Sequence, residues 1–252
     1  MKKINYLLLA MFILSLNIDS QACTNFLVTK GASVDGSNFI TYAADSHIRY
    51  GELYFTPAAD WTPESMRTIY DRGTNAIRGY VPQPAHTYQV VGYINENQVA
   101  LGETTFGGRT ELIDPTGIID YGSLMFMALE RSTSAREAIR IMADLVEEYG
   151  YGSDGETFSI SDANEVWYME IIGKGYTPKY DKKTGDTINA DKGAVWVAIR
   201  IPDGYVSGHA NAARITTFPL RDGKKSITDQ DWEKLYNQDV EVIYKHDIID
   251  FA

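Results

Sequence analysis

Covalent chemistry has few places to sit in this chain. Its 252 residues hold one cysteine, Cys23, and four histidines, at positions 47, 86, 209 and 246. No two histidines have the spacing that would share a helix face. A single cysteine permits neither an intramolecular disulfide framework nor a cysteine-rich zinc site. No metal and no cofactor is expected. Ser20 and Ala22 are the small residues that a signal peptidase reads three and one positions before its cut, so cleavage after Ala22 leaves Cys23 at the mature N-terminus. A thiol of pKa about 8.5 is a weak nucleophile until a base takes its proton, and a free α-amino group has a pKa of about 7.7 to 8.0. A terminal cysteine carries both groups. Its amine can accept the thiol proton, directly or through one water, and later hand it to a leaving amine, which is acyl transfer without a histidine.

The segment that would expose this terminus has the composition of an export signal. Lys2 and Lys3 precede an apolar run from Tyr6 to Leu16, and a polar stretch from Asn17 to Gln21 leads to Ala22. The run is shorter than the roughly 20 residues of a membrane span, so residues 1–22 read as a signal peptide and the product as periplasmic or extracellular. A competing reading makes Cys23 the acylated residue of a surface lipoprotein that serves only for binding. Against it, Ser20 stands where an apolar residue is expected, and Thr24 to Thr29 is strand-like with no linker. An unpaired thiol has little structural use in an oxidising compartment.

Composition sets the remaining bounds. With 44% apolar and 23% charged residues the chain can build a core without staples. Lys plus Arg at 23 against Asp plus Glu at 34 gives a net charge of −11, which disfavours nucleic-acid backbones and anionic bilayers as partners. Strands are expected at 24–29 and 38–43, with a turn at Asp35-Gly36 between them. A hairpin should pair Gln89–Ile94 with Val99–Thr105. Helical spacing follows over Tyr121 to Glu130 and from Ala135 to Val146, capped by Ser132 and Ser134 and closed at Gly150. Strands resume at Thr157–Ser161, Val166–Ile171, Ala194–Ile201 and Tyr205–Ser207, after a polar excursion over 173–192. Segments 44–52, 57–88 and 107–118 read as loops. The order of strands, helices, strands indicates an α+β chain with antiparallel sheets.

Many ordered motifs now resemble one family. They are Cys23-Thr24, Asp35-Gly36-Ser37, Asp45, Tyr121-Gly122, Thr133 to Ala138, Tyr149-Gly150-Tyr151, Ile160-Ser161-Asp162, Asn164 to Trp167, Trp196 to Gly204, Ala210-Asn211 and Arg214-Ile215. Together they look like the C69 family of cysteine dipeptidases, N-terminal-nucleophile hydrolases, with a more distant similarity to bile salt hydrolases and penicillin V acylases. The resemblance implies a four-layer αββα sandwich over 23–252, preceded by the signal at 1–22. It also implies a Cys23 nucleophile, a small peptide substrate, Asp45 orienting the terminal amine, and Asn211 stabilising the oxyanion. Family members run on well beyond Arg214-Ile215, so the chain reads as truncated at its C-terminus. A homo-oligomer is compatible with this reading.

The chain also departs from the pattern. Tyr42 stands where relatives place an arginine, three residues before Asp45, and Glu103 lies where the acylases put an oxyanion asparagine. A carboxylate at Glu103 could bind the ammonium group that distinguishes a dipeptide from an acyl amide. Arg214, ahead of Arg200, is the candidate clamp for a substrate carboxylate. Requirement for a free substrate amine separates a dipeptidase from an acylase-type amide hydrolase or acyltransferase. His209 beside Asn211 suggests a papain-like triad, but a thiol activated that way begins a helix and Cys23 begins a strand. Asp162 and Asn164 read as turn residues, and Trp167 and Trp196 as core.

Overall fold

The computed structural model describes residues 23–45, 51–71 and 74–215. The chain runs through β1 (Asn25–Val28), β2 (Phe39–Ile40), β3 (Phe55–Thr56), β4 (Ala59–Asp60), β5 (Met66–Tyr70) and β6 (Ile77–Pro82). It continues through β7 (His86–Thr87), β8 (Val90–Val91), β9 (Ile94–Asn95) and β10 (Ala100–Gly107) into two helices, α1 (Tyr121–Arg131) and α2 (Ala135–Tyr149). β11 (Gly155–Ser161), β12 (Val166–Gly173), β13 (Pro178–Tyr180), β14 (Thr187–Asn189), β15 (Ala194–Arg200) and β16 (Val206–His209) complete it. The architecture is α+β. A seven-stranded sheet in the order β15-β12-β11-β10-β9-β8-β3 carries the core, and a second sheet of three strands has the order β16-β1-β2.

Local chemistry explains the helices. Asp120 caps α1 by accepting from the Ser123 N–H at 2.8 Å, and Ser134 caps α2 through the Glu137 N–H. Glu137 reaches back to the Thr133 N–H at 2.7 Å, so neighbouring orphan donors of the first turn are both satisfied. Gly150 closes α2 at φ 78°, a left-handed conformation that costs a Cβ-free residue nothing. From α2 the buried face Ala135, Ala138, Ile139, Met142, Leu145 and Val146 lies on the large sheet.

The pairing register gives that sheet two unlike sides. Phe158, Ile160, Trp167, Met169 and Ile171 share the side packed on the helices, and Arg136 of α2 sits with its guanidinium carbon 4.8 Å from the Trp167 ring centre. Thr104, Thr157, Ser159, Tyr168 and Glu170 share the other side, which faces the small sheet. Polar groups there are buried and must find partners in the opposing sheet, and they do: Asn25 meets Ser159 at 3.2 Å and Tyr168 donates to Ser207 at 2.7 Å. Gly102 lets the two sheets close, since a Cβ at this position would stand 2.9 Å from the Asn25 amide nitrogen.

Three expectations change in the structure. The hairpin expected over Gln89–Ile94 is divided at Gly92, whose φ of 57° turns the chain sharply between β8 and β9 before β10 begins. Segment 57–88 holds two strand pairs, β4 with β7 and β5 with β6. Only Ile69, Val81 and Thr87 of these four strands are buried, so the apolar alternation that betrays a strand is faint. Within the polar excursion, β13 and β14 form a largely exposed hairpin. Among the described residues both helices lie against the large sheet, and the outward side of the small sheet leaves Phe26 54% and Val206 58% exposed.

Candidate active site

Register alone carries Cys23 to its neighbours. β1 is the middle strand of the small sheet, with Asn25 opposite His209 on one side and Leu27 opposite Ile40 on the other. Extending the first ladder by two residues sets Cys23 against Asn211; along the second, Thr24 bridges Ala43 and the chain reaches Asp45. The main-chain nitrogen of Cys23 donates to Asn211 Oδ1 at 2.5 Å, and Asn211 Nδ2 donates to the Thr105 carbonyl at 2.7 Å. On the other side the Asp45 main-chain N–H reaches the Cys23 sulfur. Asn211 thus engages both the nitrogen and the sulfur of Cys23, and the Asp45 N–H faces the sulfur from the other side.

The electrostatics keep the resting thiol protonated. Burial pushes the Cys23 thiol up, the negative charge of Glu103 adds to this, and the Asp45 N–H and the Asn211 side chain pull in the opposite direction. Glu103 is only 3% exposed, and its Oε1 accepts from the Tyr42 hydroxyl at 2.6 Å. Asp45 and the Arg214 side chain are exposed, Arg214 at the rim of the segment that follows Asn211. Cys23, Asp45, Glu103 and Asn211 therefore come together from four distant stretches of chain. Two buried acids escaped the sequence reading. Glu170 accepts from the main-chain N–H groups of Arg214 and Ile215, and Glu156 accepts from the Thr105 hydroxyl at 2.9 Å. Their signal was a carboxylate inside a strand whose every other residue is buried.

His209 is not part of a papain-like arrangement. Its Nδ1 meets the Thr104 hydroxyl and its Nε2 the Ser159 hydroxyl, both at 2.6 Å, so both ring nitrogens are engaged between the sheets. Burial first, and then the Arg214 charge, lower its pKa from about 6.5 to about 4. A lowered imidazole pKa means the unfolded chain binds the extra proton between these values. Stability is present above pH about 6.5 and is lost as pH falls through about 4, by up to about 3 kcal/mol. The unfolding midpoint should drop across this window, and the drop should flatten in His209→Gln. Equal acid sensitivity in both proteins would assign it elsewhere.

The remaining candidates hold structure. Asp162 accepts from the N–H groups of Asn164, Glu165 and Ala135, which folds the turn and satisfies the start of α2. Trp167 is wholly buried and Trp196 nearly so. Arg200 pairs with Glu165, which also takes the Arg136 guanidinium at 2.8 and 3.0 Å. A cavity of about 300 Å³ bounded by Lys30, Asn38, Glu165, Arg200 and Asp203 lies near Thr29, beyond the opposite end of β1 from Cys23. Among the described residues no group of three or more His, Cys, Asp or Glu could hold a metal ion, and no helix is long and apolar enough to cross a membrane. The expected signal segment 1–22, residues 46–50 and 72–73, and everything after Ile215 lie outside the described residues.

Comparison with known proteins bears on the same stretch. The model of peptidase family C69 matches residues 22–244. A probable dipeptidase of Latilactobacillus sakei is 28% identical over 225 residues, which cover 81% of this chain and 42% of the relative. Probable dipeptidase A of Streptococcus pyogenes serotype M3 is 26% identical over 248 residues, 89% of this chain and 48% of the relative. Probable dipeptidase B of the same serotype is 22% identical over 239 residues, 88% and 43%. The chain spans a little under half the length of these curated relatives. A family match over most of the chain, beginning one residue before the cysteine that the sheet register holds, establishes that the chain belongs to peptidase family C69.

Proposed function

We propose that this chain is the nucleophile-bearing part of an exported cysteine dipeptidase, freed at Cys23 by removal of residues 1–22. The observation that carries the reading is the hydrogen bond from the Cys23 nitrogen to Asn211, a residue brought to the same cysteine by the pairing of the first and last described strands. Once the peptide bond before Cys23 is cut, that nitrogen is an amine beside a protonated thiol. The amine takes the thiol proton, the sulfur attacks the peptide carbonyl, and the C–N bond breaks as the proton passes to the leaving amine. Water then hydrolyses the thioester. Asn211 has two amide hydrogens; one goes to Thr105, and the other serves the oxyanion. The exposed Asp45 carboxylate orients the free amine, Arg214 takes the substrate carboxylate, and Glu103 attracts the substrate ammonium through its charge from within the protein. The exposed side of the small sheet, with Phe26 and Val206, receives the outer helical layer of an αββα sandwich.

Hydrolysis of a panel of free dipeptides and their N-acetylated counterparts, by the processed full chain and by Glu103→Gln, tests this reading. Free dipeptides should be cleaved at least about tenfold faster than the acetylated ones, the worth of one lost charge contact; Glu103→Gln alone leaves the neighbouring Glu156 carboxyl to carry a charge, so the gap should narrow only when Glu156→Gln is added. Preference for the acetylated series would transfer the protein to the acylase-type reading. A Cys23 found blocked by lipid would remove nucleophile and base together.

A further inference from the structure

The Glu103 carboxyl group beside the Cys23 thiol has a second carboxyl group, Glu156, next to it, and among the described residues no cation lies between the two. Glu103 of β10 and Glu156 of β11 are diagonal neighbours on the helix-facing side of the large sheet, because Thr105 is the residue opposite Glu156. They are 3% and 1% exposed, and the Oε2 atom of each is closed off from solvent without a hydrogen-bond partner. The described groups around them are Tyr42, with Tyr93 and Tyr121 behind it, Asp120 at the start of α1, Tyr151 after α2, Asp154 before β11, and the Cys23 thiol. None of these is a lysine, arginine or histidine side chain.

Hydrogen bonds join this pair to both functional groups of Cys23. In one direction the Cys23 nitrogen donates to Asn211, Asn211 donates to the Thr105 carbonyl, and the Thr105 hydroxyl donates to Glu156 Oε1 at 2.9 Å. In the other, Tyr42 donates to Glu103 Oε1, and three residues later the Asp45 N–H reaches the Cys23 sulfur. Tyr42 can do this because β10 has no partner strand there among the described residues. The tyrosine comes round that edge, with its Cβ near Gly102 on one side and its hydroxyl on Glu103. The circuit closes only if Glu103 and Glu156 bond to each other, and two acceptors bond only when one of them carries a proton.

We propose that Glu103 and Glu156 share a single proton, and that the pair so joined is a positioning element that holds Cys23 by its nitrogen and its sulfur together. Like charges in a closed, cation-free site cannot both persist, the circumstance that makes a carboxylate dyad titrate as one unit. Burial first, and then the Glu103 charge, hold the Glu156 carboxyl well above the ordinary range, so it keeps its proton where an ordinary carboxyl has lost it. The folded state therefore binds more protons than the unfolded chain over that window. The contribution to stability is complete below the ordinary carboxyl range, about pH 4, and is lost as pH rises through the elevated value.

The proposal rests on Cys23 being the nucleophile, and its test reads the pair without any substrate. Infrared spectra of the full chain at neutral pH should contain the C=O stretch of a protonated, buried carboxylic acid. A shared proton belongs to neither partner, so the band should vanish in Glu103→Gln and equally in Glu156→Gln, as the acid left behind ionises. Iodoacetamide labelling of Cys23 supplies the second readout. Each single variant keeps one charge by the thiol, and its rate should change less than about twofold. The double variant, with none, should label about three- to tenfold faster, since removing the charge that pushes the thiol up raises the thiolate fraction while trimming its nucleophilicity. If the glutamine variants fail to fold, Tyr42→Phe, which removes only the donor to Glu103, should keep the band and shift its frequency. Absence of the band in the native protein, survival in one glutamine variant, equal additive gains in labelling, or an unmoved band in Tyr42→Phe would each overturn the shared proton.

Discussion

If Cys23 is the nucleophile of the proposed dipeptidase, its replacement by alanine is expected to remove dipeptide hydrolysis while leaving the fold intact. The expected loss in kcat/KM is at least about 10³-fold, because a covalent route has no substitute once its nucleophile is gone. Cys23→Ser should fall nearly as far. A hydroxyl is far harder to deprotonate than a thiol, and an amine of pKa about 8 cannot make up the difference. Stability is the control: Cys23 is only partly buried, and its main-chain bond to Asn211 survives either substitution, which gives up only the weak contacts of the sulfur. Unfolding midpoints within about 2 °C of the native protein are expected. Residual activity of a tenth or more in the processed alanine variant would sink the assignment of Cys23 as nucleophile.

Asn211→Ala should cost about 10² to 10³ in kcat, or about 3 to 4 kcal/mol of transition-state stabilisation, with KM little changed. The substitution removes the acceptor for the Cys23 nitrogen and the donor to the Thr105 carbonyl in one step. Asn211→Asp separates its roles. The aspartate still accepts from the Cys23 nitrogen, but it cannot donate to Thr105 or to an oxyanion, and its charge would push the thiol higher still. Both variants should therefore be poor catalysts, the aspartate with an activity profile displaced to higher pH. Full activity in Asn211→Asp would confine this residue to holding the nitrogen and refute its part in oxyanion stabilisation.

The elements that place these residues were largely legible in the sequence. Both helices carry caps and apolar periodicity of their own, so Ser134, Glu137 and Gly150 mark α2 without reference to the rest of the chain. The strands from Thr157 onward are long and apolar enough to stand out from their turns. Legibility failed where burial is one-sided or slight: β5 and β6 present few buried side chains, and Gly92 divides a run that composition alone reads as continuous. Glu103 shows the limit at the site. A glutamate in a strand suggests a solvated carboxylate or a substrate contact, and nothing local says that Tyr42 covers it or that Glu156 lies beside it.

By itself, the sequence singled out Cys23 as the candidate nucleophile, since the chain holds no other thiol. Its net charge of −11 disfavours nucleic acid as a partner, and its order of strands, helices, strands suits an antiparallel α+β chain. Tertiary structure decided what surrounds that thiol. Asn211 is 188 residues from Cys23 and meets it only because β16 pairs with β1 in one register, and a slip of one residue would turn its side chain to the other face. The pairing of β10 with β11 likewise sets two buried carboxyl groups side by side, with no cation between them among the described residues. Charge compensation depends on which strands become neighbours, and that is a property of the folded sheet, absent from any local stretch of the chain.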